Sequence, residues 1–88
     1  MEKLLSIVTV CFNSEKTIRK CIESVIPQLS DEVEYLLIDG KSSDRTVEII
    51  NSFKKYGVRV ISEKDHGIYD AMNKGVTLSK GKWIWFIN

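Results

Sequence analysis

Residues 4–10 read LLSIVTV, an almost unbroken apolar and largely β-branched run of strand length. A strand built from it has no polar face to offer water, so it needs cover on both sides, as in a parallel sheet flanked by helices. Few small folds meet that demand. The rest of the chain has to supply both the neighbouring strands and the cover.

It does so by alternation. Asn13 or Ser14 is placed to cap a helix, and Ile18, Cys21, Ile22, Val25 and Ile26 follow at i, i+3, i+4, i+7 and i+8 as one apolar stripe, which Pro27 helps to end. A second strand is predicted over residues 33–39 (VEYLLID). The loop GKSS then leads into a second helix, with Ser43 as N-cap and Asp44 at the positive end of the helix dipole. Val47, Ile50 and Phe53, with Ile49, make its buried face, and Gly57 closes it. A short third strand covers residues 58–62. A third helix runs from about 67 to 79 with Ile68, Ala71, Met72 and Val76 inward, and a last strand spans 82–87.

This β-α-β-α-β-α-β order has connections suited only to right-handed parallel crossovers. The expected class is α/β: a Rossmann-like half-sheet of four parallel strands in the order 3-2-1-4, alternating with three helices. At 88 residues it is one small domain or part of a larger one. Thirteen basic against twelve acidic residues leave a net charge of +1, no electrostatic footprint for nucleic acid or an anionic membrane. No apolar run approaches the length of a membrane span, and the first ten residues lack a signal peptide's pattern. Cys11 at a strand end and Cys21 on a helix are badly placed to bridge, and two free thiols suit a reducing cytoplasm.

Open α/β sheets bind ligands at the carboxyl ends of their strands, where the strand order reverses. Here that is between the first and fourth strands, with Cys11-Phe12-Asn13 on one side and Asn88 reaching the other. Asp39 points to the same crevice; it is placed to accept hydrogen bonds from a ribose hydroxyl or a base N–H, or equally to start the turn at Gly40. Phe12 has two readings, stacking on a base or packing locally. Neither G-x-x-x-x-G-K-[ST] nor G-x-G-x-x-G follows the first strand, which disfavours a P-loop ATPase or an NAD-dependent dehydrogenase. A bound diphosphate would then call for a divalent metal, and the chain has no cluster to hold one.

Three stretches in register resemble the N-terminal nucleotide-binding half of the family 2 glycosyltransferases, which have the GT-A fold. SIVTVCFNSEKTIRKCIESVIPQ is similar to the family's opening strand, Tyr/Phe-Asn turn and first helix. LLIDGKSSDRTVEII resembles its Val-Asp-Asp-Gly-Ser-Thr-Asp-Gly-Thr signature. SEKDHGIYDAMNKGVTLSKGKWIWFIN is close to the segment that, in one branch, runs into an Asp-Asp or Asp-x-Asp motif. The likeness covers nearly all of residues 1–88, which it marks as the nucleotide-binding portion of an incomplete GT-A domain.

The resemblance implies a nucleotide-sugar site made of Phe12, packed on the base, the adjoining Asn13, Asp39 on base or ribose, and Asp70 and Asn73 facing the donor crevice. Asp44 and Thr46 would fix the loop and helix start. Departures stand at Val10-Cys11, where many members have Pro-Thr, at Gly40 for the second acid, at Lys41 for the next glycine, and at Met72 for an arginine. The implied reaction transfers a sugar from a nucleotide-diphosphate sugar, a UDP-sugar first, to an acceptor hydroxyl with inversion. Mn²⁺ or Mg²⁺ would serve the intact enzyme through acids beyond Asn88, and no metal or catalytic residue is expected in this chain. The expectation is therefore a truncated, inactive, cytoplasmic piece, self-associating through its apolar strand at 82–87. Two rival readings are a stand-alone nucleotide-binding module and a dimerisation module without chemistry.

Overall fold

The computed structural model describes residues 2–88. Strand β1 spans Lys3–Cys11, β2 Val33–Asp39, β3 Arg59–Ser62 and β4 Gly81–Phe86, with helices α1 Ile18–Val25, α2 Thr46–Asn51 and α3 Ile68–Leu78 between them. All neighbours pair in parallel, in the order β3-β2-β1-β4. The α/β class and the 3-2-1-4 order therefore stand.

Both central strands are covered on both faces, as their apolar runs demand. On one face Ile7, Tyr35 and Leu37 meet Ile18, Ile22 and Val25 of α1 and Ile50 of α2. On the other, Val8, Leu36 and Ile38 meet Ala71 of α3. Each fully buried Ile, Leu or Val on these faces contributes about 1.5–3 kcal/mol relative to exposure. Thr9 fastens the end of the sheet, donating to the Ile87 carbonyl at 2.6 Å and bonding the Tyr35 hydroxyl at 2.7 Å.

The third helix departs from expectation. Ala71 and Gly75 are its buried positions, whereas Ile68 and Val76 are 55% and 49% exposed. The cause is close approach. A Cβ on Gly75 would lie 2.7 Å from Val8 Cγ1, so small residues let α3 settle directly on β1. Val76 then falls about 140° around the helix from Ala71, and Ile68 sits in the first turn beyond the sheet's end. The expected helix caps also shift. Thr17 precedes α1 without a side-chain bond, and Asp44, not Ser43, receives the Thr46 N–H at 2.9 Å ahead of α2.

A buried polar cluster near the amino ends of β1 and β2 was not foreseen. Glu34 Oε2 accepts from Ser6 Oγ and from the Lys80 N–H, both at 2.6 Å, while Oε1 faces Arg59 at 3.3 Å. Ser6 Oγ in turn accepts from Gly81 N–H at 2.8 Å. One carboxylate thus ties β1, β2, β3 and the turn into β4.

Candidate functional site

At the carboxyl ends of β1 and β2 lies a mainly apolar cleft of about 460 Å³. Val10, Cys11 and Phe12 form one wall, Gly40 the floor, and Lys64, Asp65, Gly67, Ile68 and Ala71 the wall from the β3–α3 connection. A second hollow of about 350 Å³, lined by Thr9, Ser14, Thr17, Lys20, Cys21 and Asn88 among others, opens toward α1. The single crevice expected between the first and fourth strands is thus two hollows on either side of the end of β1. Asn88 belongs to the smaller one.

The loops around the cleft are sewn together by hydrogen bonds between residues 29–32 positions apart in sequence. Asn13 has a left-handed φ of 48°, a conformation asparagine tolerates better than most residues. Its N–H donates to Ser42 Oγ at 2.8 Å, and its Oδ1 accepts from Ser43 N–H at 2.9 Å. Ser14 N–H donates to Thr46 Oγ1 at 2.7 Å, and Glu15 N–H to Asp44 Oδ2 at 3.2 Å. Those bonds explain why the turn after β1 and the Ser-Ser-Asp-Arg-Thr loop after β2 carry short polar side chains. Asp44 and Thr46 do fix the loop and helix start.

Asp39 is fully buried. Its Oδ2 accepts from Ser42 N–H at 2.9 Å and Ser62 Oγ at 2.8 Å, and its Oδ1 from Ser42 Oγ and, at 3.8 Å, Cys11 Sγ. The carboxylate is therefore turned into its own loop and away from the cleft. Burial first, and the Asp39 charge second, push the Cys11 thiol up to about 12, so at neutral pH it is a protonated donor and no nucleophile.

Of the five residues assigned to the site from sequence, Phe12 alone lines the cleft, its ring 60% exposed. Asn13 and Asp39 shape the loops behind it. Asp70 Oδ2 accepts from His66 N–H at 2.9 Å and lies 3.8 Å from Lys74 Nζ, securing the approach to α3. Asn73 is exposed and stands about 200° around the helix from Ala71, so it points away from the cleft. That corrects the expectation of an inward-facing amide. Sequence reasoning missed Lys64, Asp65, Gly67 and the cleft-side use of Ile68. The available signal was their place, in SEKDHG just after the carboxyl end of a strand.

Among the described residues, no group of three or more His, Cys, Asp or Glu side chains is arranged to hold a metal ion. No helix among them is long and apolar enough to cross a membrane. Trp83 and Trp85 on the outer strand β4 are 70% and 51% exposed, and Ile84 36%.

Comparison with known proteins agrees with this architecture. The chain is 37% identical over 87 residues to a PGL/p-HBAD biosynthesis glycosyltransferase of Mycobacterium bovis (strain BCG / Pasteur 1173P2), covering 96% of this chain and 34% of that protein. It superposes on S. aureus TarS 1-349 in complex with UDP-GlcNAc with a TM-score of 0.85 at 22% identity, over 96% of this chain and 26% of that one. For glucosyl-3-phosphoglycerate synthase from Mycobacterium tuberculosis, in complex with Mn2+, UDP and glucosyl-3-phosphoglycerate, the TM-score is 0.79 at 24% identity, over 97% and 33% of the two chains. At these identities the structural likeness establishes the fold. The chain spans about a third of the length of the M. bovis relative. The model of the family described as Glycosyl transferase family 2 matches residues 6–88, and with the strand order and the loop signature in place, the chain belongs to that family.

Proposed function

We propose that this chain is the nucleotide-binding part of an enzyme that transfers a sugar from a nucleoside-diphosphate-sugar donor, foremost a UDP-sugar, to an acceptor hydroxyl with inversion. The observation that carries the reading is the apolar cleft at the carboxyl ends of β1 and β2 with the exposed ring of Phe12 on its wall. A flat base stacked on that ring gains about 1–3 kcal/mol. The Asn13–Ser43 and Asp39–Ser42 bonds hold the ring and the Gly40 floor in place before the donor arrives. UDP and UDP-GlcNAc complexes among proteins of this fold support the donor class.

A divalent metal such as Mn²⁺ or Mg²⁺ would act as a Lewis acid at the diphosphate. The described residues do not form a donor set for it. Metal ligands, general base and acceptor site are accordingly assigned to the rest of a longer enzyme, and the chain by itself binds donor without turnover. A cytoplasmic setting, where two free thiols stay reduced, completes the reading.

The test is an NMR titration of this chain with UDP. Shifts confined to Phe12, Gly40 and residues 64–68, with affinity weakened about tenfold by Phe12→Ala, are expected. Absence of shifts at the cleft sinks the proposal. A second reading concerns β4, whose open edge carries two exposed tryptophans of about 150–250 Å² each. An apolar edge strand pairs readily with another chain, so the chain by itself self-associates through residues 82–87. Analytical ultracentrifugation should show dimers at high micromolar concentration; a clean monomer there refutes it.

A further inference from the structure

One wall of the cleft is made by the β3–α3 connection, residues 63–67, which contains neither helix nor strand and is largely exposed. Such a segment opens at low cost unless something ties it down. Its position nevertheless has little tolerance. A Cβ on Gly40 of the floor would lie only 2.7 Å from Asp65 Oδ2, so the connection meets the end of β2 without a gap.

Backbone bonds anchor only its two ends. Glu63 N–H donates to the Asp39 carbonyl at 3.0 Å, and the Gly67 carbonyl accepts from Ala71 N–H at 3.1 Å. Between them the connection is held by side chains. Asp65 Oδ1 accepts from Gly67 N–H at 3.1 Å. The other ties lead to Lys74. Its Nζ donates to the Lys64 carbonyl at 2.9 Å and lies 3.3 Å from Glu63 Oε1 and 3.8 Å from Asp70 Oδ2. Asp70 Oδ2 in turn accepts from His66 N–H at 2.9 Å. One ammonium thus reaches residues 63 and 64 directly and residue 66 through Asp70.

Helix geometry puts Lys74 in reach of this segment. Helical side chains lean toward the N-terminus of their helix, and Lys74 stands about 100° around α3 from Gly75, which rests on β1. It does not line the cleft. Ion pairs with partners as exposed as Glu63, at 59%, add little to global stability. What the ammonium governs is therefore local, the order of one wall.

We infer that Lys74 is a positioning residue for the donor site, its ammonium holding the β3–α3 connection in the conformation that completes the cleft. This rests on the nucleotide-binding reading above and adds the group that keeps the wall ready for the donor. A connection left closed for about a tenth of the time would weaken apparent affinity about tenfold.

The test compares the wild-type chain with Lys74→Met, which keeps an unbranched stem but no charge, and Lys74→Arg, which restores charge and donors. Amide hydrogen exchange, urea unfolding and UDP titration are measured on each. In Lys74→Met the His66 and Gly67 amides should exchange faster while those of β1 and β2 stay unchanged, and the urea midpoint should stay close to wild type. UDP binding should weaken about tenfold, and Lys74→Arg should recover most of it. Equal UDP affinity in wild type and Lys74→Met overturns the role of Lys74 and leaves the nucleotide site standing. A lowered urea midpoint with faster exchange throughout the sheet overturns it too, because a merely structural residue behaves that way. Failure of the wild-type chain to bind UDP overturns the nucleotide reading and this inference together.

Discussion

Replacing Glu34 by alanine should be the most damaging single change outside the apolar core. The residue is buried, and its carboxylate receives the Ser6 hydroxyl, the Lys80 N–H and the Arg59 guanidinium. Removing one partner of a buried pair typically costs about 3–5 kcal/mol. Arg59 is 35% exposed and keeps its bond to the Leu78 carbonyl at 2.8 Å, which moves the ion-pair share toward the lower end. Two neutral donors left without an acceptor add about 1 kcal/mol each if water does not reach them. A loss of about 3–4 kcal/mol follows, a large fraction of the total stability of a domain this size, which is about 4–13 kcal/mol. Glu34→Gln keeps the shape and one acceptor and should lose about 1–2 kcal/mol. Urea unfolding followed by tryptophan fluorescence measures both. The pH dependence gives a sharper check. Burial alone would raise the Glu34 carboxyl, but the bonds from Ser6, Lys80 and Arg59 outweigh it and hold the group below its ordinary value of 4.5. A depressed folded-state value means the stabilisation is complete above the unfolded value and fades as pH falls through the folded one. Wild type and Glu34→Gln should therefore differ most near neutrality and converge only as pH falls through the depressed folded-state value, which lies under 4.5. Equal midpoints at pH 7, or a difference that stays constant into acid, would show that the cluster contributes nothing beyond packing.

Two further outcomes test the geometry around the cleft. Gly75→Ala drives a methyl group to within 2.7 Å of Val8 Cγ1 and should lower stability by about 1–3 kcal/mol, lifting α3 and its end of the cleft off β1; unchanged urea midpoint and unchanged UDP affinity would contradict the close approach. Cys11, buried with its thiol pushed up to about 12, should resist iodoacetamide at pH 8 in the native chain and react on unfolding, which peptide mass mapping resolves from Cys21. Rapid native alkylation of Cys11 would show that the turn after β1 opens readily.

Much of the architecture was readable along the chain because it is written in local periodicity. The unbroken run in β1, the i, i+3, i+4 stripe of α1 and the switch back to a short apolar strand after each helix are properties of neighbouring residues. The order β3-β2-β1-β4 is the one expected of a Rossmann-like half-sheet built with right-handed crossovers, and the family signature around Asp39 was legible as letters. In α3, periodicity misled. Ile68 and Val76 share the repeat of a buried stripe, yet the helix is seated by what Gly75 permits against Val8, and nothing local announces that contact.

What the amino-acid sequence by itself determined is the set of elements, their parallel order and the end of the sheet where the cleft lies. Only the tertiary structure decided which carboxylate is available there. Asp39 is consumed by Ser42 and by Ser62, 23 residues further on, while Asp65 keeps a free oxygen because Gly40, 25 residues earlier, leaves it room. Secondary structure is set within a turn or two of chain, whereas whether a polar atom is spent or free depends on partners that parallel crossovers bring from distant segments.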